Sequence, residues 1–216
     1  MSQRESGVRI TIFPMVHVGE QAFYDRVHSE ALAHDAVLFE GVRSRQTRLL
    51  TASYRWLDFA RLGLVVQPAI QDYVKDTTHA RLAHADISSE EVEVLWRRMP
   101  FWLRAVVGIG APIYGLVSKL TATRESIAKG MSQDMLRDPK DILEDGDEFQ
   151  PLRDLVDTAR DARLVECLDE ELGKANSTTR LALIYGAGHI SEVLRALSER
   201  GFVPTQSDWI TIFSFE

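Results

Sequence analysis

Two histidines and a glutamate each stand at the end of a short apolar run. His17 closes VRITIFPMVH, Glu40 closes AVLFE, and His189 closes LALIYGAGH. If these runs are parallel strands, their carboxyl ends open on one crevice, where open α/β sheets bind ligands. Two histidines and a carboxylate gathered there suit a divalent ion with an open coordination position, whose bound water becomes a nucleophile near neutral pH. Mn, Co and Zn all accept such donors. The same trio also suits metal-free general acid–base catalysis, and the residues alone leave both readings open.

Each residue carries its own local case. Gly186 and Gly188, in IYGAGHISEVL, permit a tight strand-to-helix turn. A helix starting beyond His189 would favour a neutral imidazole, able to ligate or to act as a base; a histidine that merely packs at a turn shows the same pattern. His17 gains meaning only if a second ligand-type residue sits beside it. Glu40 is more telling, because AVLFEGV offers no polar neighbour and a carboxylate ending a buried strand must be paired, metal-bound or shifted in pKa. A salt bridge to Arg43 or Arg163 is the structural alternative. His84-Ala85-Asp86 would add one ligand-type pair, while His28, His34 and His79 are expected on the surface. The single cysteine, Cys167, reads as a small buried apolar residue rather than a catalytic thiol.

To converge, these residues need an α/β fold: a parallel or mixed central sheet built from βαβ units at both chain ends, with a helical insertion between. Residues 8–19 read as a strand, 20–35 as a helix with Ala22, Phe23, Val27, Ala31 and Leu32 at helical spacing, and 36–42 as a second strand. The last third reads as a helix over 152–172, a turn over 173–179, the strand RLALIYG, the helix SEVLRALSER stopped by Gly201, and a closing strand DWITIFSFE. The chain is expected to be one domain over 1–216, with residues 43–150 as the insertion covering the site. Within it, Gln67–Ala85 reads as a helix, Ser88 or Ser89 as the cap of the next, Arg43, Arg45 and Arg48 as a solvated loop, and 138–150 as an acidic surface loop.

Phe101–Leu120 is apolar enough to raise the question of a membrane, but Arg104, Pro112 and three glycines interrupt it. A spanning helix wants about 20 largely uninterrupted apolar residues. The segment is therefore read as a broken pair of helices covering the sheet or walling an apolar pocket; a dimer contact or a membrane surface is a less favoured use.

With 216 residues the chain is long enough to bury a real core. Its 45% hydrophobic and 26% charged content is that of an ordinary globular protein, and its net charge of −7 argues against nucleic acid as the main partner. The lone cysteine and the absence of a basic-then-apolar leader lead us to expect a cytoplasmic protein. GAGHIS lacks the Lys-Ser/Thr ending of a P-loop and the third glycine of a dinucleotide fingerprint, and no GxSxG, HExxH or CxxC motif occurs.

At GAGH, LFEGV and RDAR the sequence resembles the TraB/PrgY family, within the superfamily that includes the TIKI metalloproteases, the ChaN-like haem-binding proteins and the erythromycin esterases. That superfamily is marked by two GxxH motifs and a glutamate after the second strand. Gly186-Ala187-Gly188-His189 resembles the second motif, Glu40 the glutamate, and Arg163 an arginine in the helix before the last motif. The first motif departs from the pattern, since Pro14 stands three residues before His17 where the family has glycine. HADISSEE is similar to the family's Asp-containing segment. The resemblance implies a metal-dependent hydrolase of a peptide or ester bond, with His17, His189 and Glu40 at the metal, Glu40 and Arg163 catalytic, and Arg163, Gly186 and Gly188 toward a peptide or small-molecule substrate. It also admits a non-enzymatic peptide- or haem-sequestering protein, or a scaffold that has lost its chemistry.

Overall fold

Val, Ile, Leu and Phe dominate the runs RITIFPM, AVLF and RLALIYG, and all three are strands of one six-stranded sheet. The computed structural model describes residues 1–3, 7–42, 44–50, 57–76, 78–136 and 149–215. In chain order the main elements are strands β1 (Ser2–Gln3) and β2 (Arg9–Met15), helix α1 (Gln21–Leu32), strand β3 (Ala36–Phe39), helix α2 (Arg45–Leu50) and strand β4 (Arg81–His84). Helices α3 (Ser89–Arg98), α4 (Phe101–Thr121), α5 (Arg124–Leu136) and α6 (Gln150–Arg153) follow, then a π turn at Asp154–Thr158 and helix α7 (Ala159–Lys174). Strand β5 (Arg180–Gly186), helix α8 (Ile190–Glu199) and strand β6 (Phe202–Val203) complete the set.

The sheet order is β4-β3-β5-β2-β1-β6. The first four strands are mutually parallel, and β1 runs antiparallel to β2 and β6. This is a mixed sheet flanked by helices, an α/β architecture. β2, α1 and β3 follow one another in the chain, yet β5 from the far end lies between the two strands.

The chain groups into two units. One comprises Met1–Gly41, Gln67–Asp86 and Asp161–Ser214 and carries the sheet; the other comprises Val42–Val66, Ile87–Arg160 and Phe215–Glu216 and holds α2 to α6. In the first, Ile10, Leu38, Leu181, Leu183 and Tyr185 share a core with Leu164, Cys167 and Leu168 of α7 and Val193 and Leu197 of α8. Alternation along the strands turns Phe13, Val37, Ala182 and Ile184 to the opposite face, on which α1 packs. Burial on both faces is why these strands read as unbroken apolar runs. Cys167 is buried, as its setting in α7 suggested. In the second unit, Ile87, Val92, Met99, Leu103 and Leu155 form a separate core.

Several local expectations are corrected. Gln67–Ala85 is not a helix: a short 3-10 turn at Ile70–Tyr73 leads to strand β4, which pairs in parallel with β3 from Ala36↔Arg81 to Phe39↔His84. Four residues are too few to show a strand period, and pairing with β3 decides the matter. DWITIFSFE makes no strand over its described residues. Instead the tail lies beside the start of α1, where the Glu20 N–H donates to the Ile212 carbonyl at 3.0 Å. Phe101–Leu120 lies within one helix running through Pro112, not in a broken pair. Arg45 and Arg48 lie in α2 rather than in a loop; Arg43 and most of the acidic stretch 138–150 lie outside the described residues. His28, expected at the surface, is only 1% exposed.

Two ends are set locally as the sequence indicated. Ser88 caps α3, its hydroxyl accepting from the Glu91 N–H while the Glu91 carboxylate accepts from the Ser88 N–H at 2.7 Å. Gly201, with φ of 78°, follows α8 in the left-handed conformation that glycine adopts without penalty.

Candidate active site

Register brings the predicted strand ends to one edge of the sheet. Phe39 pairs with Ile184, so Glu40 emerges level with Tyr185; Met15 pairs with Gly186, so His17 lies two residues beyond that row. β4 adds Asp86 on the other side of Glu40. All four parallel strands therefore deliver a polar residue just past their carboxyl ends.

Glu40 is held against the turn that presents His189. Its Oε2 accepts the Gly186 N–H at 2.5 Å. A Cβ on residue 186 would stand 3.0 Å from that oxygen and 3.5 Å from the His189 Cδ2. A side chain there would touch His189 at ordinary contact distance and oblige the Glu40 carboxylate to shift by a few tenths of an ångström. Gly188 meets no such crowding, since a Cβ on it would face open space.

After Gly186 the chain makes a 3-10 turn, Ala187–His189, and enters α8. His189 is 7% exposed, with the Tyr185 ring edge-on to its imidazole at 5.1 Å between centroids. Its Nδ1 lies 2.7 Å from Oδ1 of Asp161, in the first turn of α7. A carboxylate only accepts, so Nδ1 carries the proton and Nε2 is the basic nitrogen. This is the arrangement by which a carboxylate fixes an imidazole's tautomer and stabilises its cation, whether the ring serves as a base or as a metal ligand.

On the far side of Glu40, the Gly41 N–H donates to the buried Asp86 Oδ2 at 3.2 Å, and the Gly41 carbonyl accepts from His84 Nε2 at 2.7 Å. The His84 and Asp86 pair noticed in the sequence thus clamps the backbone that follows Glu40. His17 is exposed at its side chain, and its carbonyl accepts the Gln67 N–H at 2.8 Å. Arg163, two residues past Asp161, pairs with Glu166 at 2.6 Å and Glu170 at 3.3 Å on its own helix.

Asp161 is the residue that sequence reasoning passed over. In TARDARLVECL it is one more polar position on an amphipathic helix, and its neighbour Arg163 carried the resemblance instead. The approach of α7 to the end of β5 is what gives it a role, and that contact spans 28 positions in sequence.

Among the described residues, no three His, Cys, Asp or Glu side chains stand close enough to hold a metal ion together. His17, Glu40 and His189 are not gathered into such a group: Glu40 Oε2 is bonded to the Gly186 turn, and the His17 side chain is exposed. Set against known protein families, curated proteins and solved structures, the chain finds no match.

Proposed function

We propose that the protein is a hydrolase of a peptide or ester bond, with a site plan akin to that of the TraB/PrgY superfamily, and that His189 is its general base. The observation that carries this reading is the 2.7 Å hydrogen bond from His189 to Asp161 at the carboxyl edge of the sheet, beside Glu40. Nε2 of His189 takes the proton of a water that attacks the carbonyl carbon, Asp161 stabilises the imidazolium that forms, and the imidazolium returns that proton to the departing alcohol or amine as the acyl C–O or C–N bond breaks. Glu40 keeps the Gly186 turn in place and supplies a second carboxyl group for proton transfer. Arg163 stays outside this core, its charge engaged by Glu166 and Glu170. In full, the proposed fold is one of βαβ units at both chain ends, with residues 42–66 and 87–160 inserted on either side of the stretch that carries β4.

A metal-assisted form of the same reaction is the second reading, because a carboxylate-bound histidine is also how metal-ligating imidazoles are oriented. It requires His17 to move toward His189 and Glu40, so no step is assigned to an ion here. A panel of ester and peptide substrates, run with and without added Mn, Co or Zn, tests both forms. Turnover that His189→Ala abolishes supports the proposal. Turnover independent of added metal and unchanged by chelation selects the metal-free form. No turnover in either condition, with tight capture of a peptide or of haem, favours a sequestering protein instead.

A further inference from the structure

Helix α4 shows solvent an apolar stripe. Trp102, Val106, Ile109, Ile113, Leu116 and Val117 recur at three- and four-residue spacing on one side of the helix, and each is at least 43% exposed. Leu103, a quarter turn round from the stripe, is buried in the core it shares with Val92, Met99 and Leu155, and Trp102 at the stripe's end rests edge-on against Phe149. The helix is thus anchored on one side and apolar on another. A continuous exposed apolar patch of this kind marks an interaction surface.

Charge indicates what covers it. Between Glu93 and Glu125 the sequence holds Arg97, Arg98, Arg104, Lys119 and Arg124 and no acidic residue, in a chain whose net charge is −7. Apolar residues with an aromatic at one end and basic residues around them are the composition of a helix that lies in a membrane interface, drawn there by anionic lipids. A second copy of the chain fits less well, since pairing stripe to stripe would bring the two basic segments together. Among the described residues no single helix is long and apolar enough to cross a membrane, and α3 and α4 meet at a bend of 117°. Together the two helices have the length and composition of a span, but a pair bent so sharply suits a helix that lies on a bilayer better than one that crosses it.

We infer that α4 docks the protein on anionic lipid surfaces, with the stripe from Trp102 to Val117 facing the acyl boundary. The inference does not depend on the hydrolytic reading. The test is co-sedimentation of the full chain with vesicles of phosphatidylcholine alone and of phosphatidylcholine with phosphatidylglycerol, at low and high NaCl. Binding to the anionic vesicles is expected to be at least about tenfold tighter and to weaken with salt. Ile109→Glu with Ile113→Glu is expected to abolish it while leaving the circular dichroism spectrum unchanged, and Lys119→Glu to reduce the preference for anionic lipid. Trp fluorescence should shift to the blue on binding, and Trp102→Phe should remove that shift. Failure to sediment with either vesicle would overturn the inference, as would equal binding by the double glutamate variant. So would a wild-type dimer that ignores vesicles and that the same variant converts to monomer, which would identify a second copy as the occupant.

Discussion

Gly186 carries more of the site than its size suggests. A methyl group there would push against Glu40 Oε2, the far end of a flexible side chain, so the backbone need not move but the carboxylate must. Gly186→Ala is therefore expected to lower kcat/KM by about tenfold or more through misplacement, with a stability change within about 1 kcal/mol; steady-state kinetics beside thermal unfolding separates the two effects. His28 makes a different prediction. It is 1% exposed, its Nδ1 has no hydrogen-bond partner among the described residues, and the Tyr73 ring packs on it at 4.3 Å. Burial pushes its imidazole down to about 4, against the opposing pull of Asp25 and Asp72. As pH falls below the ordinary histidine range, near 6.5, the unfolded chain takes up a proton that the folded chain refuses. Stability then drops until about pH 4, where the folded form protonates too and this loss levels off. The loss is on the order of 3 kcal/mol, and urea unfolding at a series of pH values should show it in the wild type and not in His28→Gln.

Edge strand β4 was the least legible element and is tied down by an ion pair. Arg81, at its start, grips Glu171 of α7 through both terminal nitrogens, and Lys174 adds a contact at 3.0 Å. Glu171 is 2% exposed, and its bonds to Arg81 hold its carboxyl below the usual range despite burial. Glu171→Gln leaves Arg81 without its partner and is expected to destabilise the fold by about 1–3 kcal/mol, less than a fully buried pair would cost because the Arg81 side chain is half exposed. That effect should fade as pH falls below the ordinary glutamate range and through the lowered pKa of the wild-type carboxyl. Helix α3 is the contrasting case, since its capping box could be read directly from SSEEVEVLW. Ser88→Ala should cost about 1 kcal/mol in chemical denaturation. Caps, glycine stops and apolar runs are local and were visible in the sequence. The pairing of β4 with β3 and the packing of the tail at Glu20 are settled by contacts distant in sequence, which no local pattern carries.

The same division holds for the molecule as a whole. Central strands with unbroken apolar runs, and residues past their carboxyl ends, identified the edge of the sheet where Glu40 and His189 meet. The position of β5 between β2 and β3 was not legible, because nothing in either strand's composition says which neighbour it takes. Asp161 followed from that same long-range packing, and so the partner of His189 stayed hidden while the histidine itself was found. The exposed side of α4 was hidden too: its apolar residues were plain, but whether they face core or solvent depends on which side the second unit's core occupies.

The central claim is that His189 and Asp161 act as one catalytic unit. The most direct test is kcat/KM, on the best substrate from an ester and peptide panel, for wild type, His189→Ala, Asp161→Asn and the double variant. Each single substitution is expected to lower the rate by about 10²- to 10⁴-fold, and the double variant to be little worse than His189→Ala alone. Independent, multiplying losses, or singles that leave hydrolysis intact, would contradict the account.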